Sequence, residues 1–274
     1  MTSDNPTDPR SRFKIALDER FSKPIGPRAH AARPSGHPVL VCAGDSITQG
    51  AGGSNWVHQV ARTVAPAMTC VNAGVGGNVA WNLLARLDEI IACRPIAVTV
   101  LIGTNDALAQ ISATWSDSSV KHQQLPQHPT AQWYEDNLRR IVDRLKSETT
   151  ADIALMSLPP LADAVDGRWH DLVAPYNAII HEVATEAGVP VLPVHERVTT
   201  LITGEPARPW DGTRKLMGMS LLRRLALRQS WDTIARHHGF TTTPDGVHLN
   251  EHAAAQVAAL VTQFVNAAVQ ARKA

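Results

Sequence analysis

The sequence predicts an α/β fold, a three-layer α/β/α sandwich around a mostly parallel, flavodoxin-like sheet of five strands. From Pro38 onward, short apolar runs alternate with longer amphipathic runs, the pattern of strands joined by helices through right-handed crossovers. At 274 residues the chain is long enough to bury a full core. Charges nearly cancel, with 26 Lys and Arg against 25 Asp and Glu, so the composition gives no indication of nucleic-acid or membrane binding.

The predicted strands and helices alternate along one domain, residues 37–274. Strands are predicted at 39–43, 68–72, 96–102, 152–158 and 189–194, and helices at 54–64, 79–93, 131–146, 169–187 and 251–268. The third helix carries an apolar stripe from Leu138 to Leu145 and the last one from Val257 to Ala268, so both should pack on the sheet. Asn250 stands where the last helix needs an N-cap.

Residues 1–36 form a proline-rich N-terminal arm that precedes the first strand. The arm has no apolar segment typical of a secretory signal, and no later run looks long and apolar enough to span a bilayer. We therefore expect a cytoplasmic protein without stable membrane insertion. Phe13, Leu17 and Phe21 recur at helical spacing, so this arm either docks on the body or on a second subunit or is disordered. Homo-oligomerisation stays open.

Neither a metal nor a cofactor is expected. The three cysteines, Cys42, Cys70 and Cys93, are far apart and form no C-x-x-C motif, which favours buried free thiols. The 12 histidines show no ligand spacing such as H-E-x-x-H.

Four polar segments follow predicted strands or precede the last helix. Each has an ordinary structural interpretation: residues 44–50 and 103–106 as turns, 72–78 as a glycine-rich turn and 245–250 as a surface loop. The glycine-rich turn also fits a phosphate or oxyanion site, although it lacks the G-x-G-x-x-G pattern. Because parallel strands end at one edge of a sheet, a serine, backbone donors, an asparagine and an Asp-x-x-His pair are expected to meet there.

Together these segments resemble the sequence blocks of the SGNH-hydrolase (GDSL-like esterase and lipase) family. Gly44-Asp45-Ser46-Ile47 is similar to the nucleophile block, Gly103-Thr104-Asn105-Asp106 to the G-x-N-D block and Asp245-Gly246-Val247-His248 to the D-x-x-H block. Gly77 corresponds to the glycine of the second block, with Gly76 beside it as the alternative. The resemblance extends from residue 39 to about residue 268.

The resemblance implies acyl transfer to water through a serine ester. Ser46 would be the nucleophile, His248 the base and Asp245 the carboxylate that orients the imidazole. The oxyanion hole would consist of the N–H groups of Ser46 and Gly77 and the amide of Asn105. Supporting roles fall to the remaining polar residues of these blocks, Asp45, Asn78 and Asp106.

Residues 204–239 form a basic insertion that the resemblance does not explain. This segment has seven Lys and Arg, and residues 216–234 are predicted to form one helix with two apolar sides. An ordinary packed helix, a lid or pocket wall over Ser46, and a subunit or lipid contact are the three interpretations. Residues 111–129, with Trp115, are expected to be a loop that borders the pocket or lies in solvent.

The sequence thus predicts a serine-dependent carboxylic-ester hydrolase, esterase-like or lysophospholipase-like, that acts on a small-molecule ester. A carbohydrate O-acetylesterase is the alternative within this chemistry. A non-catalytic ligand-binding module on the same fold, or a nucleotide-binding protein that uses the 74–77 turn, would be proteins of another class.

Overall fold

Five parallel strands form a single central sheet in the computed structural model, which describes residues 24–64, 67–204, 206 and 209–272. The strands are β1 (Val39–Gly44), β2 (Thr69–Gly74), β3 (Ala97–Leu101), β4 (Asp152–Met156) and β5 (Val191–Leu192). Their order in the sheet is β2-β1-β3-β4-β5, so the flavodoxin-like prediction is confirmed. The expected helical face of Phe13, Leu17 and Phe21 lies outside the described residues.

The strands consist mostly of apolar residues because helices cover both faces of the sheet. All residues of β1 and β3 are buried, as expected for a parallel sheet without a solvated face. In the register, Val39 lies opposite Thr69, and Leu40 lies opposite Ala97. Strands β1, β2 and β3 therefore end close together, and the loops that follow them share one edge of the sheet.

Two layers of helices enclose the sheet. One contains α3, α10 and α13, and the other α4, α5, α8 and α9. In chain order the helices are α1 (Pro27–Ala32), α2 (Ser46–Gln49), α3 (Trp56–Val64), α4 (Ala80–Ala85), α5 (Leu87–Ile91), α6 (Thr104–Leu108), α7 (Ala113–Gln123), α8 (Ala131–Glu148), α9 (Gly167–Ala187), α10 (Val194–Thr199), α11 (Lys215–Ala226), α12 (Trp231–His238) and α13 (Glu251–Ala271).

The basic insertion departs from the sequence prediction. Instead of one helix over residues 216–234, the structure has α11 and α12, separated near Arg228, whose backbone is left-handed at φ 52°. Ser230 then caps α12 by accepting the N–H of Thr233. The two predicted apolar sides consequently belong to different helices, since Trp231 and Ile234 are buried in α12 while Leu221 and Leu225 lie on α11.

Two further predictions were wrong in detail. The predicted helix at 79–93 is two short helices, α4 and α5, with Arg86 between them. Residues 111–129 are not a loop, because α7 occupies most of that stretch, with Ser112 accepting the N–H of Trp115 as its N-cap.

Helix α13 contradicts the expectation that no run after the N-terminal arm is long and apolar enough to span a bilayer. It is the one helix of the described ranges that is long and apolar enough to cross a bilayer by length and composition. In this fold it instead packs on α3 and β3, with Val257, Val261 and Val265 buried against the core. Its apolar face is therefore accounted for by packing within the protein.

Candidate active site

Ser46 lies at the carboxyl end of β1, in the first position of the short helix α2. Asp45 caps this helix, because its Oδ1 accepts the N–H of Ile47 at 2.9 Å. The cap fixes the turn that carries Ser46 at the edge of the sheet, where Ser46 lines a cavity.

His248 brings the distant end of the chain to Ser46. Its Nε2 lies 2.9 Å from Ser46 Oγ, and its Nδ1 lies 2.7 Å from Asp245 Oδ2. The other carboxylate oxygen of Asp245 accepts the backbone N–H groups of Val247 and His248 at 3.0 and 2.8 Å. This turn holds the carboxylate against Nδ1, which leaves Nε2 as the acceptor for the serine proton.

The electrostatics of the pair match that arrangement. Burial alone would lower the pKa of His248, but attraction to Asp245 and the hydrogen bond that His248 Nδ1 donates to its carboxylate raise it above its ordinary value. Burial would raise the pKa of Asp245, but the imidazole and the hydrogen bonds from His248 and Val247 hold it below its ordinary value. Asp245 therefore stays ionised and stabilises a positive charge on His248.

The three residues expected to form an oxyanion hole, Ser46, Gly77 and Asn105, line one cavity. The N–H of Ser46 lies in the first turn of α2, where a helix has no internal acceptor. Gly76 donates its N–H to Gln49 Oε1 at 2.9 Å, whereas the N–H of Gly77 has no acceptor among the described residues. The geometry thus favours Gly77 over Gly76 as the second donor.

Asn105 supplies the third donor from the start of α6. Its Nδ2 donates to the carbonyl of Asn78 at 3.0 Å and lies 3.4 Å from Asp45 Oδ2. The second contact is long for a hydrogen bond, so one amide hydrogen is available to an oxyanion. Ser46, Gly77 and Asn105 all line the same cavity, together with His248 and Asp245.

The three supporting residues brace these loops. Asp106 accepts the N–H of Ala80 at the start of α4, and burial raises its pKa to about 7. Burial likewise raises the pKa of Asp45 to about 6. Asn78 donates from Nδ2 to Gln123 Oε1 at 3.1 Å, which joins the glycine-rich turn to α7.

Arg86 is a further brace that the sequence analysis did not identify. Its guanidinium donates to Asn78 Oδ1 and to the carbonyl oxygens of Gly44 and Ala73, all within 2.9 Å. These carbonyls immediately precede the Ser46 turn and the glycine-rich turn. An arginine in a helical run is ordinarily a surface residue, so its spacing gave no indication of this role.

Two glycines that directly contact the histidine were also missed. Gly52 has a left-handed backbone at φ 83°, and a Cβ there would lie 2.9 Å from His248 Nδ1. At Gly53 a Cβ would lie 2.5 Å from the carbonyl of Leu249. Because neither glycine has a Cβ, the backbone at Gly52-Gly53 can lie directly against the imidazole. The sequence feature that could have identified this pair is its position soon after the serine turn.

A second brace holds the loop that carries Asp245. Asp163 accepts the N–H groups of Thr241 and Thr242 and the hydroxyl of Thr242. Ala162 and Asp163 both have positive φ, at 53° and 55°. Such strained backbone is common at functional sites and is maintained here by the contacts of the carboxylate.

The cavity above Ser46 has a volume of about 920 Å³. One wall is α7, through Trp115, Ser118 and Ser119, and the opposite wall is α11, through Met217 and Leu221. The basic insertion and the 111–129 segment therefore both border the pocket. Among the described residues no group of three or more His, Cys, Asp or Glu side chains is arranged to hold a metal ion.

The sequence model of the GDSL-like Lipase/Acylhydrolase family matches residues 42–256, which include every residue of the site described above. A GDSL esterase/lipase of Arabidopsis thaliana is 33% identical over 134 residues, 46% of this chain. The match spans about half, 51%, of that relative's own length.

Solved structures of low sequence identity share the fold. The lipase/acylhydrolase from Enterococcus faecalis is 19% identical, with a TM-score of 0.55 over 83% of this chain and 95% of its own. Axe2, an acetylxylan esterase from Geobacillus stearothermophilus, is 20% identical, with a TM-score of 0.57 over 84% of this chain and 94% of its own. At these identities the likeness concerns the fold.

Proposed function

The chain belongs to the GDSL-like lipase/acylhydrolase family, and from that premise we propose that it is a serine-dependent carboxylic-ester hydrolase that works through an acyl-enzyme at Ser46. The observation that supports this most strongly is the hydrogen-bonded series Ser46 Oγ, His248 Nε2, His248 Nδ1 and Asp245 Oδ2, with separations of 2.9 and 2.7 Å. A nucleophile within hydrogen-bond distance of a base that is itself oriented by a carboxylate is the arrangement that acyl transfer requires.

In the first half of the reaction Ser46 Oγ attacks the ester carbonyl while His248 Nε2 takes the hydroxyl proton. The carbonyl oxygen becomes an oxyanion, which accepts hydrogen bonds from the N–H groups of Ser46 and Gly77 and from Asn105 Nδ2. Collapse of this intermediate breaks the bond to the alcohol oxygen, and His248 returns the proton to the departing alcohol. The product is an ester between the acyl group and Ser46.

In the second half a water molecule takes the place of the alcohol. His248 removes a proton from the water as it attacks the acyl-enzyme, and the same three donors stabilise the second oxyanion. His248 then protonates Ser46 Oγ as the carboxylic acid leaves, which restores the starting state. Asp245 remains ionised throughout and stabilises the imidazolium that forms in each half.

The volume and the apolar lining of the cavity favour esters with an extended apolar group over acetyl esters. A volume of about 920 Å³ is at the upper end of small-molecule sites, far more than an acetyl group needs. The lining side chains Leu108, Trp115, Met217, Leu221 and Leu225 are apolar. An esterase or lysophospholipase-like activity is therefore the better-supported form of the proposal.

Carbohydrate O-acetylesterase activity is the second candidate, because Axe2, which shares this fold, is an acetylxylan esterase. The two candidates differ in how the rate depends on the acyl group. An acetylesterase would lose activity as the acyl chain lengthens, whereas an enzyme that uses the apolar wall would gain it.

The test is the initial rate of hydrolysis of p-nitrophenyl acetate, butyrate, octanoate and dodecanoate near pH 8, with the wild type and Ser46→Ala compared. We expect turnover by the wild type, a maximum beyond acetate and background rates for Ser46→Ala. Equal rates for both proteins would rule out Ser46 as the nucleophile. Equal inactivity of both would favour the non-catalytic binding module.

A further inference from the structure

Positive charge predominates among the residues that line the cavity. They include Arg214, Arg224 and Arg228, whereas the single carboxylate among them, within the described chain, is Asp245. That carboxylate is hydrogen-bonded to His248. Arg224 has a carboxylate nearby, since its Nη1 lies 3.7 Å from Glu251 Oε1.

Arg214 differs from Arg224 because its contacts, with Ser118 and Trp115, are with neutral groups. It precedes α11 and reaches across to the opposite wall, where its Nη1 donates to Ser118 Oγ at 2.7 Å. Its guanidinium carbon lies 4.3 Å from the centre of the Trp115 ring. Within the described ranges no ion pair joins Arg214 to a carboxylate.

These contacts hold the guanidinium in one place and leave most of its donors for a ligand. Trp115 is itself fixed, because its Nε1 donates to the carbonyl of Gly212 at 2.7 Å. A guanidinium has five N–H donors in a planar fork, and Ser118 uses one of them. A guanidinium that is stacked on an aromatic ring and has donors to spare is suited to a carboxylate or phosphate.

An apolar stripe on α11 starts close to Arg214 in the sequence. Met217, Leu221 and Leu225 recur every four residues, so they lie on one face of the helix, and all three line the cavity. The stripe is about 12 Å long at the helical rise per residue. Leu221 and Leu225 remain 39% and 45% exposed, which leaves apolar surface for a ligand to cover.

We propose that the substrate is an amphiphilic ester, an ester with an apolar chain and one anionic group, and that Arg214 is the specificity-determining residue that binds the anion. The apolar stripe holds the chain, and the guanidinium at its N-terminal end binds a carboxylate or a phosphate. This inference rests on the proposed hydrolase function and names the class of substrate for the same site.

Two matched pairs of esters test the proposal. The carboxylate pair is the mono-p-nitrophenyl ester of suberic acid and its methyl-capped twin, and the phosphate pair is monooctanoylglycerol phosphate and monooctanoylglycerol. The quantity to measure is the ratio of kcat/KM for the charged ester to that for its neutral twin. It is compared for the wild type, Arg214→Met, Arg214→Lys and the control Lys215→Met, which removes a neighbouring exposed charge that does not line the cavity.

The wild-type ratio should exceed one for at least one pair and fall about five- to tenfold in Arg214→Met, as for one charge-assisted hydrogen bond at a solvent-accessible site. Lys215→Met should keep the wild-type ratio, and Arg214→Lys should give a value between those of the wild type and Arg214→Met, because lysine keeps the charge but not the stacked planar fork. Added salt should lower the ratio in the wild type. The pair that responds distinguishes a carboxylate from a phosphate. Unchanged ratios in Arg214→Met, or an equal fall in Lys215→Met, would overturn the proposal.

A binding measurement separates this inference from the proposed reaction. Calorimetric titration of octyl phosphate and of octanoate into Ser46→Ala needs no turnover. At least one anion should bind five- to tenfold more weakly when Arg214→Met is added to Ser46→Ala. If the wild type hydrolyses neither these four esters nor the p-nitrophenyl ester series but this difference is found, the hydrolase proposal fails and the anion site stands. Equal affinities refute the anion site whatever the activity.

Discussion

Replacing Asn105 with alanine removes one donor from the proposed oxyanion hole and little else. The side chain makes one good hydrogen bond, from Nδ2 to the Asn78 carbonyl at 3.0 Å, and one long contact, to Asp45 at 3.4 Å. Loss of a single partly buried hydrogen bond costs about 1 kcal/mol of the free energy of unfolding. A domain with a total of roughly 5 to 15 kcal/mol stays folded after such a loss.

The effect on turnover should be far larger than the effect on stability. A donor that binds the oxyanion acts mainly in the transition state, so its removal lowers kcat by about a hundredfold to a thousandfold and changes KM little. The assay is steady-state hydrolysis of p-nitrophenyl butyrate, with urea unfolding of the same preparation to measure stability.

Asn82→Ala is the matched control. Asn82 lies on the neighbouring helix α4, accepts the N–H of Val79 at 3.1 Å and donates to the carbonyl of Gln123 at 3.1 Å, but it does not line the cavity. Its loss should cost similar stability and leave kcat within a few fold. Wild-type kcat in Asn105→Ala, or an equal fall in both variants, would refute the assignment of Asn105.

Three further predictions concern the base, the pocket wall and the scaffold. Because Asp245 raises the pKa of His248 above 6.5, kcat/KM should fall as the pH drops through that raised pKa. Asp245→Asn should move this acidic limb of the pH profile to lower pH and cut the rate on the order of a thousandfold or more; an acidic limb that does not move would contradict the role of Asp245. Leu221→Trp should fill the space beside the apolar wall and lower kcat/KM for the octanoate ester about tenfold relative to the acetate ester. Leu222→Trp should not, because this side chain is 65% exposed and lies outside the cavity; equal chain-length profiles for the two variants would show that the wall does not bind the acyl chain. Arg86→Met should remove three charged hydrogen bonds, to Asn78 Oδ1 and to the carbonyls of Gly44 and Ala73, of which the Gly44 carbonyl still accepts the N–H of Val75. The free energy of unfolding should fall by about 2 to 4 kcal/mol, and a denaturant midpoint equal to that of the wild type would show that the brace is not needed.

The sheet and the four polar segments were predictable because their signals are local. Each strand is a short apolar run, and the residue types that carry acyl transfer follow these runs directly, as Ser46 and Asn105 do. Parallel strands end at one edge of the sheet, so position in the sequence translates into position in space. Asp245 and His248 precede the last helix instead of following a strand, and the resemblance of their segment to the D-x-x-H block indicated that they lie next to Ser46, more than two hundred residues away in the sequence.

The insertion and the braces were not predictable for a physical reason. Amphipathic spacing runs through residues 216–234 without interruption, and the break near Arg228 depends on a left-handed backbone that spacing does not encode. Arg86 and Asp163 act on backbone groups of distant loops, contacts that depend on the assembled fold. The polar residues that meet at the site could thus be predicted from the sequence, whereas the helices that form its walls and the residues that support its loops required the structure.

The most direct test of the central claim is covalent labelling with a fluorophosphonate, followed by peptide mass spectrometry. We expect one adduct, on the peptide that contains Ser46, which is absent in Ser46→Ala and forms far more slowly in His248→Ala. Ser118 and Ser119 line the same cavity but have no histidine positioned like His248, so they should stay unlabelled. An adduct on either of these serines, or no adduct on the folded wild type, would contradict the assignment of Ser46 as the nucleophile.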